Sequence, residues 1–317
     1  MFKAIGGDTL QKAHKSFVYK LLIFFVIVFF LDFAAGSVLK YFYYVQKSGI
    51  LYRTTYAIEE TKADILIFGT SKANHSYNPE IFSERLNTSA YNVGRDGGSV
   101  LYDYALLTSI TQRYIPKIII LDVSWEFEKK QDAYDRLSML LPYYKTHPEI
   151  QSIIELKSQY EKIKLLSRVY PYNSMLFTIL AGNLRNNKGG TTDLKGYVPL
   201  FKVWKDEIKI YDIPDYEIDS AKINYFKSFI RKCISLNIKL YIVISPDFMQ
   251  LKKTEKSAIL ARNYAEYYNI DFFDYSCDPL FLENSKYFAD PTHLNADGAS
   301  VFTNLLIDRI EQDIKGK

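Results

Sequence analysis

The hydrophobic and polar positions divide the chain into one long apolar helix followed by alternating strands and helices. Residues 21–31 form an uninterrupted apolar run, and residues 16–39 extend it with few polar interruptions. Because about 20 helical residues suffice to cross a bilayer, residues 16–39 are predicted to be a transmembrane helix. Lys20 can extend to the lipid headgroups, and Asp32 is expected near the far interface.

A cleaved signal peptide is the alternative for this segment. The apolar stretch is long for such a peptide, and residues 38–42 contain no convincing small-residue cleavage site, which favours a retained anchor. Lysines at positions 3, 12, 15 and 20 precede the helix, and fewer basic residues follow it closely. This slight asymmetry predicts residues 1–15 in the cytoplasm and the soluble domain in the periplasm or outside the cell. Residues 40–62 are predicted to be a linker.

From residue 63 onwards the pattern predicts one domain of short buried strands and amphipathic helices. The predicted strands are residues 64–68, 90–93, 117–121, 239–245 and 271–274. One predicted helix begins at Asn78. Four more are predicted at residues 100–113, 219–236, 252–268 and 296–314. This alternation predicts an α/β fold with a parallel sheet covered on both faces, a three-layer flavodoxin-like sandwich. In such sheets, sites form beyond the carboxyl ends of the strands.

Residues 125–216 interrupt this alternation. They contain tyrosine-rich and lysine-rich helical pieces, a Gly189-Gly190 loop and no clear strand. We predict an insertion that caps one edge of the sheet and that could serve as a lid. Its aromatic residues suit a glycan-binding platform, but a packed cap explains them equally well. These residues are Tyr143, Tyr144, Tyr170, Tyr172 and Trp204.

Composition excludes some functions. The 317 residues are 48% hydrophobic and 24% charged, which is ordinary for a globular chain. The net charge of +4 is spread along the chain, and no Lys/Arg block is long enough to indicate nucleic acid. Cys233 and Cys277 lack metal-ligand spacing, so no metal site is predicted, and a disulfide between them is left open. Cys233 lies on the apolar side of its predicted helix and is expected in the core.

Three loops at predicted strand ends carry candidate chemistry. Ser71 follows the first strand, where its hydroxyl can reach the sheet edge and its N–H can face an oxyanion, although turn chemistry alone explains the same residues. Gly94 follows the second strand in a glycine-rich loop, where it can supply an oxyanion donor or a tight turn. Asp290 precedes His293 by three residues, so its carboxylate can hold one imidazole nitrogen while the other faces a nucleophile.

In this order the three loops resemble the blocks of the SGNH (GDSL-like) hydrolases. Gly69-x-Ser71 is similar to the nucleophile block, Gly94 to the glycine block, and Asp290-x-x-His293 to the final block. The resemblance covers about residues 64–122 and 238–317. The segment at residues 290–298, DPTHLNADG, together with the N-terminal helix, looks like the membrane-anchored branch of this family that serves cell-surface polymers. Proteins of alginate acetylation and of teichoic-acid D-alanylation belong near that branch.

One block departs from the family pattern. The family's asparagine, which donates a hydrogen bond to the oxyanion, should follow the third strand, but residues 121–126 contain none. The loss of one such donor typically costs about 10²- to 10³-fold in rate. Ser124, Asn74 or a backbone N–H would have to substitute for it.

The resemblance implies a membrane-anchored serine esterase or O-acyltransferase that acts on acyl esters of a cell-surface polysaccharide, with acetyl as the favoured acyl group. Ser71 would attack the carbonyl, His293 would accept its proton and Asp290 would fix the imidazole tautomer, with the N–H groups of Ser71 and Gly94 binding the oxyanion. The implied partners are the bilayer, an acylated glycan and a membrane acyl-transfer protein, with no cofactor.

Two alternatives stay open. The first is a catalytically weak or inactive domain that binds polymer or partner proteins in an envelope-polysaccharide assembly. The missing asparagine favours it, and the intact set of Ser71, Asp290 and His293 opposes it. The second is a nucleotide- or flavin-binding sandwich, which lacks any phosphate-binding motif in this sequence.

Overall fold

The structure is a computed structural model that describes residues 7–124, 126–186, 194–205, 210–212, 215–251 and 255–315. Trp125 and the Gly189-Gly190 loop of the predicted insertion lie outside the described residues. The described helices are α1 (Gly7–Tyr44), α2 (Gly49–Glu59), α3 (Ser71–Ser76), α4 (Pro79–Leu86), α5 (Val100–Ile110), α6 (Gln131–Asp135), α7 (Gln151–Ile154), α8 (Glu161–Lys164), α9 (Leu176–Asn186), α10 (Ser220–Ser235), α11 (Lys256–Tyr267), α12 (Pro279–Leu282) and α13 (Ala296–Lys315). The described strands are β1 (Ile65–Phe68), β2 (Ala90–Asn92), β3 (Ile118–Asp122), β4 (Ile210–Tyr211), β5 (Lys239–Ile244), β6 (Gln250–Leu251) and β7 (Asp271–Asp274). Short 3-10 helices cover Arg136–Tyr143, Pro148–Ile150, Glu155–Lys157, Tyr170–Met175 and Ser285–Tyr287.

Five strands form a parallel sheet in the order β2-β1-β3-β5-β7, which confirms the predicted α/β class. Successive side chains of a strand point to opposite faces, so Leu66 and Phe68 enter one core cluster while Ile65 and Ile67 enter the other. Burial on both faces explains why the central strands read as continuous apolar runs. The strand order reverses at β1, so its carboxyl end is the position where a site is expected.

Helices cover both faces of this sheet. Helices α5, α10 and α11 cover the first face, where the ring of Phe229 meets that of Phe68 edge-on at 5.3 Å. Helices α3, α4 and α13 cover the second, where Tyr77 and Phe302 meet at 5.1 Å. Cys233 is buried in the first core cluster, as predicted, whereas Cys277 is exposed; both thiols are free.

Residues 126–186 of the insertion pack on the first face, beside the end of α1, whereas Tyr197 and Trp204 join the core cluster of the second face. The hydroxyls of Tyr43 and Tyr143 are 3.1 Å apart, and the rings of Tyr43 and Tyr172 are 5.6 Å apart. Tyr143 and Tyr172 are both buried, so these two residues form a packed cap and not an open glycan platform. The short parallel pair of β4 and β6 has no counterpart among the predicted strands.

The region between the apolar helix and the sheet is helical. Among the described residues, α1 is the one helix long and apolar enough to cross a membrane, over Gln11–Tyr44. Within the predicted linker, α1 continues to Tyr44 and α2 follows. Helix α2 buries Leu51, Thr54 and Ile58 against the domain, and the Thr54 hydroxyl lies 3.3 Å from that of Tyr102 on α5.

Candidate active site

A tight turn places Ser71 at the start of α3, directly beyond the carboxyl end of β1. Gly69 has a φ of +136°, and a Cβ at this position would lie 2.7 Å from the carbonyl oxygen of Asp122. Only glycine fits both constraints. Thr70 then caps α3 by accepting the N–H of Lys72, and Ser71 is the first helical residue.

The structure brings Ser71, His293 and Asp290 into one hydrogen-bonded chain. Nε2 of His293 lies 2.8 Å from the Oγ of Ser71, and Nδ1 lies 2.9 Å and 3.0 Å from the two carboxylate oxygens of Asp290. A carboxylate can only accept, so Nδ1 carries a proton and Nε2 is left to accept the serine hydroxyl. This is the arrangement that activates a serine nucleophile.

The loop before α13 holds this pair in place. The Asp290 carboxylate also accepts the N–H of Thr292 at 2.9 Å and that of His293 at 3.0 Å. Burial alone would raise the pKa of Asp290, but its hydrogen bonds from His293 and Thr292 outweigh burial and hold that pKa well below its usual range. Asp290 is therefore a carboxylate at neutral pH, as the tautomer assignment requires.

A buried ion pair fixes the first turn of α3 to the loop after β5. Nζ of Lys72 donates to Asp247 Oδ1 at 2.8 Å and to the carbonyl oxygen of Pro246 at 2.7 Å. Burial raises the pKa of Asp247, and the charge of Lys72 acts against that rise. Because Lys72 follows Ser71 directly, the pair restrains the nucleophile.

The three predicted oxyanion groups occupy different surroundings. Gly94 packs on α3, and its N–H donates to Asn92 Oδ1 at 2.9 Å. The Asn74 side chain is engaged at both ends, because it donates to Asp96 at 2.6 Å and accepts from Arg53 at 2.7 Å. Ser124 lies beyond β3 and donates to Asp122 at 3.2 Å.

Asp96 also belongs to a second histidine–carboxylate pair, with His75, beside the first. The His75 ring lies 5.6 Å from the His293 ring, and its Nδ1 and Nε2 lie 2.7 Å from the Val198 carbonyl oxygen and 3.2 Å from Asp96 Oδ1. Both neighbours are acceptors, so His75 is best satisfied as an imidazolium. Burial alone would lower the pKa of His75, but the hydrogen bonds to Asp96 and Val198 outweigh burial, so the pKa is raised above its ordinary value.

The pKa of Asp96 moves in the opposite direction. Burial would raise it, but the hydrogen bond to His75, followed by the contacts of Asn74 and Arg53, lowers the pKa to about 2. The acceptor neighbours and the two pKa directions together favour a charged pair of His75 and Asp96. His75 lies one helical turn from Ser71, since residues four apart share a helix face.

His75, Asp96 and Arg53 were not among the predicted site residues. His75 would have been found had residues 71–76 been predicted as a helix, because position 75 then lies on the same face as Ser71. Arg53 lay in the predicted linker, yet its Nη1 donates to Asn74 Oδ1 at 2.7 Å and to the Gly196 carbonyl at 2.7 Å. The spacing of Leu51, Thr54 and Ile58 was the available signal for that helix.

Two cavities open at the carboxyl edge of the sheet, and the lining of neither includes Ser71, His293 or Asp290. One of about 190 Å³ is lined by Thr70, Gly97 and Ser124 beyond β1 and β3. A larger one of about 510 Å³ opens beyond β3, β5 and β7, and its lining includes Ser124 and Asp247. Ser124 lines both, so the two cavities adjoin. Their links to the catalytic groups are Thr70, which directly precedes Ser71, and Asp247, which pairs with Lys72.

Comparisons with known proteins give a likeness at the level of solved structures. No family model matches the sequence, and no curated protein matches it. A crystal structure of a protein assigned as an acylhydrolase from Bacteroides fragilis NCTC 9343 is similar, with 11% identity and a TM-score of 0.42, covering 84% of this chain and 97% of that chain. A crystal structure of an acetyl xylan esterase is similar with 12% identity and a TM-score of 0.39, covering 78% of this chain and 99% of that chain. At identities this low, the function of this chain has to be argued from its own site.

Proposed function

We propose that the chain is a membrane-tethered serine esterase or O-acyltransferase of the SGNH type. Its substrates are acyl esters of a polysaccharide close to the membrane surface, and acetyl is the favoured acyl group. The observation that carries this proposal is the hydrogen-bonded chain from Ser71 through His293 to Asp290. A membrane anchor in α1, with the domain outside the cytoplasm, belongs to the same proposal.

In the proposed reaction, the Ser71 Oγ attacks the ester carbonyl while Nε2 of His293 takes its proton. The C–O bond to the sugar oxygen then breaks, and His293 returns the proton to that oxygen, leaving an acyl group on Ser71. Water completes hydrolysis, whereas a second sugar hydroxyl completes transfer. An imidazolium at His75, which its two acceptor neighbours favour, would support the anionic intermediate at a site that lacks the family's asparagine.

The test compares the full chain in detergent micelles with its Ser71→Ala variant on p-nitrophenyl acetate and acetylated oligosaccharides. We expect Ser71→Ala to lose at least about 10³-fold in kcat/KM, because no other group then forms the acyl intermediate. Mass spectrometry of the stopped reaction should find an acetyl group on Ser71. Equal rates for the two proteins would exclude Ser71 as the nucleophile.

A second candidate function is a weak or inactive domain that binds polymer or partners. The specific observation in its favour is that the N–H of Gly94 already donates to Asn92, and the side chain of Asn74 is also engaged. A fluorophosphonate probe separates the two functions, because it labels a serine only when the neighbouring histidine activates it. Labelling that Ser71→Ala abolishes favours the enzyme, and an unlabelled wild-type chain favours the binding domain.

A further inference from the structure

A third cavity lies between α1 and the insertion. It measures about 150 Å³, and three cationic residues line it: Lys40 from α1, and Lys145 and Arg168 from the insertion. The hydroxyl residues Ser37 and Thr146 line it as well. Neither lysine forms an ion pair with a carboxylate among the residues that the structure describes. The cavity therefore presents the charge of two lysines that have no carboxylate partner in the described part of the chain. Its hydroxyl groups already donate within the protein, Ser37 to the Phe33 carbonyl oxygen at 2.7 Å and Thr146 to that of Tyr143 at 3.2 Å.

The insertion contacts α1 about one helical turn N-terminal to this cavity, at Asp32 and Phe33. The Asp32 side chain accepts the N–H of Arg168 at 2.7 Å, the hydroxyl of Ser167 at 2.5 Å and the N–H of Val169 at 3.3 Å. The guanidinium of Arg168 stacks 4.0 Å above the ring of Phe33. These contacts explain how an acidic residue is accommodated in an apolar helix, since all its partners come from the docked loop.

Helix geometry gives the height of the cavity relative to a bilayer. Twenty helical residues, from Phe17 to Gly36, span about 30 Å, which is the thickness of the hydrocarbon core. Gly36 and Lys40 are about 6 Å apart along the helix axis, within the depth of a headgroup layer. The cavity therefore lies at the level of lipid phosphates, provided that α1 crosses the membrane.

Two exposed apolar side chains lie next to the same docking loop. Ile163 is 67% exposed and Leu166 is 79% exposed, and the Leu166 N–H donates to the Ile163 carbonyl, so they belong to one turn. Leu165, between them in sequence, is buried in the core instead. Leu166 directly precedes Ser167, which bonds Asp32. An apolar turn fixed at this height meets acyl chains rather than water.

We propose that this cavity binds the headgroup phosphate of an anionic phospholipid, while Ile163 and Leu166 enter the acyl layer beside it. The assignment rests on the membrane anchoring in the proposed function. The negative charge of such a headgroup phosphate complements Lys40, Lys145 and Arg168, which line the cavity. The bound lipid holds the insertion, and through it the whole domain, at a defined tilt on the membrane.

The first measurement is the depth of a fluorescent label in nanodiscs that contain the full chain. Cys277→Ser removes the exposed thiol, and a nitrobenzoxadiazole label is placed at Leu166→Cys, with Val26→Cys as a mid-helix reference and Ile234→Cys as an equally apolar control. We expect doxyl-labelled lipid to quench the labels at 166 and 26 but not at 234. Quenching at 26 without quenching at 166 overturns this inference and leaves the anchor intact. An unquenched label at 26 overturns the anchor and this inference with it.

The second measurement is lipid selectivity, from electron spin resonance of spin-labelled phosphatidylglycerol and phosphatidylcholine. We expect the wild-type chain to favour phosphatidylglycerol, and Lys40→Gln/Lys145→Gln to lose about fivefold per lysine, the factor for a charge near headgroups. The matched control Lys117→Gln/Lys315→Gln changes two exposed lysines elsewhere and should keep the preference. A preference that survives the first double variant overturns the assignment.

A third arm of the same measurement identifies the source of the phosphate. Glycerol phosphate in the buffer should leave the preference for phosphatidylglycerol unchanged, because it lacks acyl chains that Ile163 and Leu166 can contact. If it abolishes the preference at millimolar concentration, the cavity binds soluble phosphate esters, and the lipid assignment is refuted.

Discussion

The ion pair of Lys72 and Asp247 supports the most quantitative prediction. Their side chains are only 7% and 12% exposed, and the charged atoms are 2.8 Å apart. Lys72→Met keeps the length of the side chain but leaves the Asp247 carboxylate buried without its cation. Removal of one partner of a buried pair costs about 3–5 kcal/mol. We therefore expect the free energy of unfolding to fall by about that amount near neutral pH.

The same variant should depend on pH in a defined direction. Burial already raises the pKa of Asp247 in the folded protein, and the charge of Lys72 limits the rise. Without Lys72 the pKa rises further, so the folded variant retains a proton over a wider range than the unfolded chain does. Such a group lowers the free energy of unfolding as pH increases from about 3.9, its unfolded pKa, through its folded pKa. The deficit of Lys72→Met relative to wild type should thus be larger at pH 8 than at pH 5.

The assay is urea unfolding of the full chain in detergent micelles, followed by near-ultraviolet circular dichroism. Lys129→Met is the matched control, because Lys129 pairs with Glu217 at 2.7 Å on the exposed surface, where an ion pair contributes little to stability. The double variant Lys72→Met/Asp247→Leu should recover most of the loss, because no buried charge is left unpaired. Equal costs for Lys72→Met and Lys129→Met would refute the reasoning.

Two further variants test the catalytic geometry. Asp290→Asn should lower kcat/KM for acetyl esters by about 10⁴-fold, because an amide no longer holds His293 in the tautomer that accepts the Ser71 proton; a loss of less than tenfold would contradict this role. Gly94→Ala would bring its Cβ within 2.8 Å of the Ala73 Cβ, so it should displace α3, destabilise the chain by about 1–3 kcal/mol in urea unfolding and reduce ester turnover. Unchanged stability and turnover for Gly94→Ala would show that α3 tolerates the shift.

The main sheet was predictable from sequence because each of its strands contains a short apolar run beside a polar or glycine-containing turn. The strand predicted at residues 239–245 is β5, and the helix predicted at 219–236 is α10, whose start is marked by the Asp219 side chain accepting two backbone N–H groups. Such signals are local, so neither requires knowledge of the tertiary contacts.

Other elements could not be predicted because tertiary contacts determine them. Helix α3 has no apolar period, since Lys72, Asn74 and His75 are polar residues buried by partners distant in sequence. The β4–β6 pair is two residues long, too short for any pattern. For the site, the spacing of Asp290 and His293 was visible in the sequence. The bond of Arg53 to Asn74, across 21 positions, was not.

Helix α2 has a consequence for the proposed membrane tether, because it decides where a cut could release the domain with its contacts intact. Arg53 reaches the active-site network from α2, and Arg95 in turn bonds the Ile50 carbonyl and the Thr54 hydroxyl of the same helix. A protease that cut within residues 60–64 would shed a domain lacking these contacts. A cut in the non-helical residues 45–48 would shed one that retains them. Shedding at these two places should therefore separate an inactive fragment from a diffusible form with an intact active site.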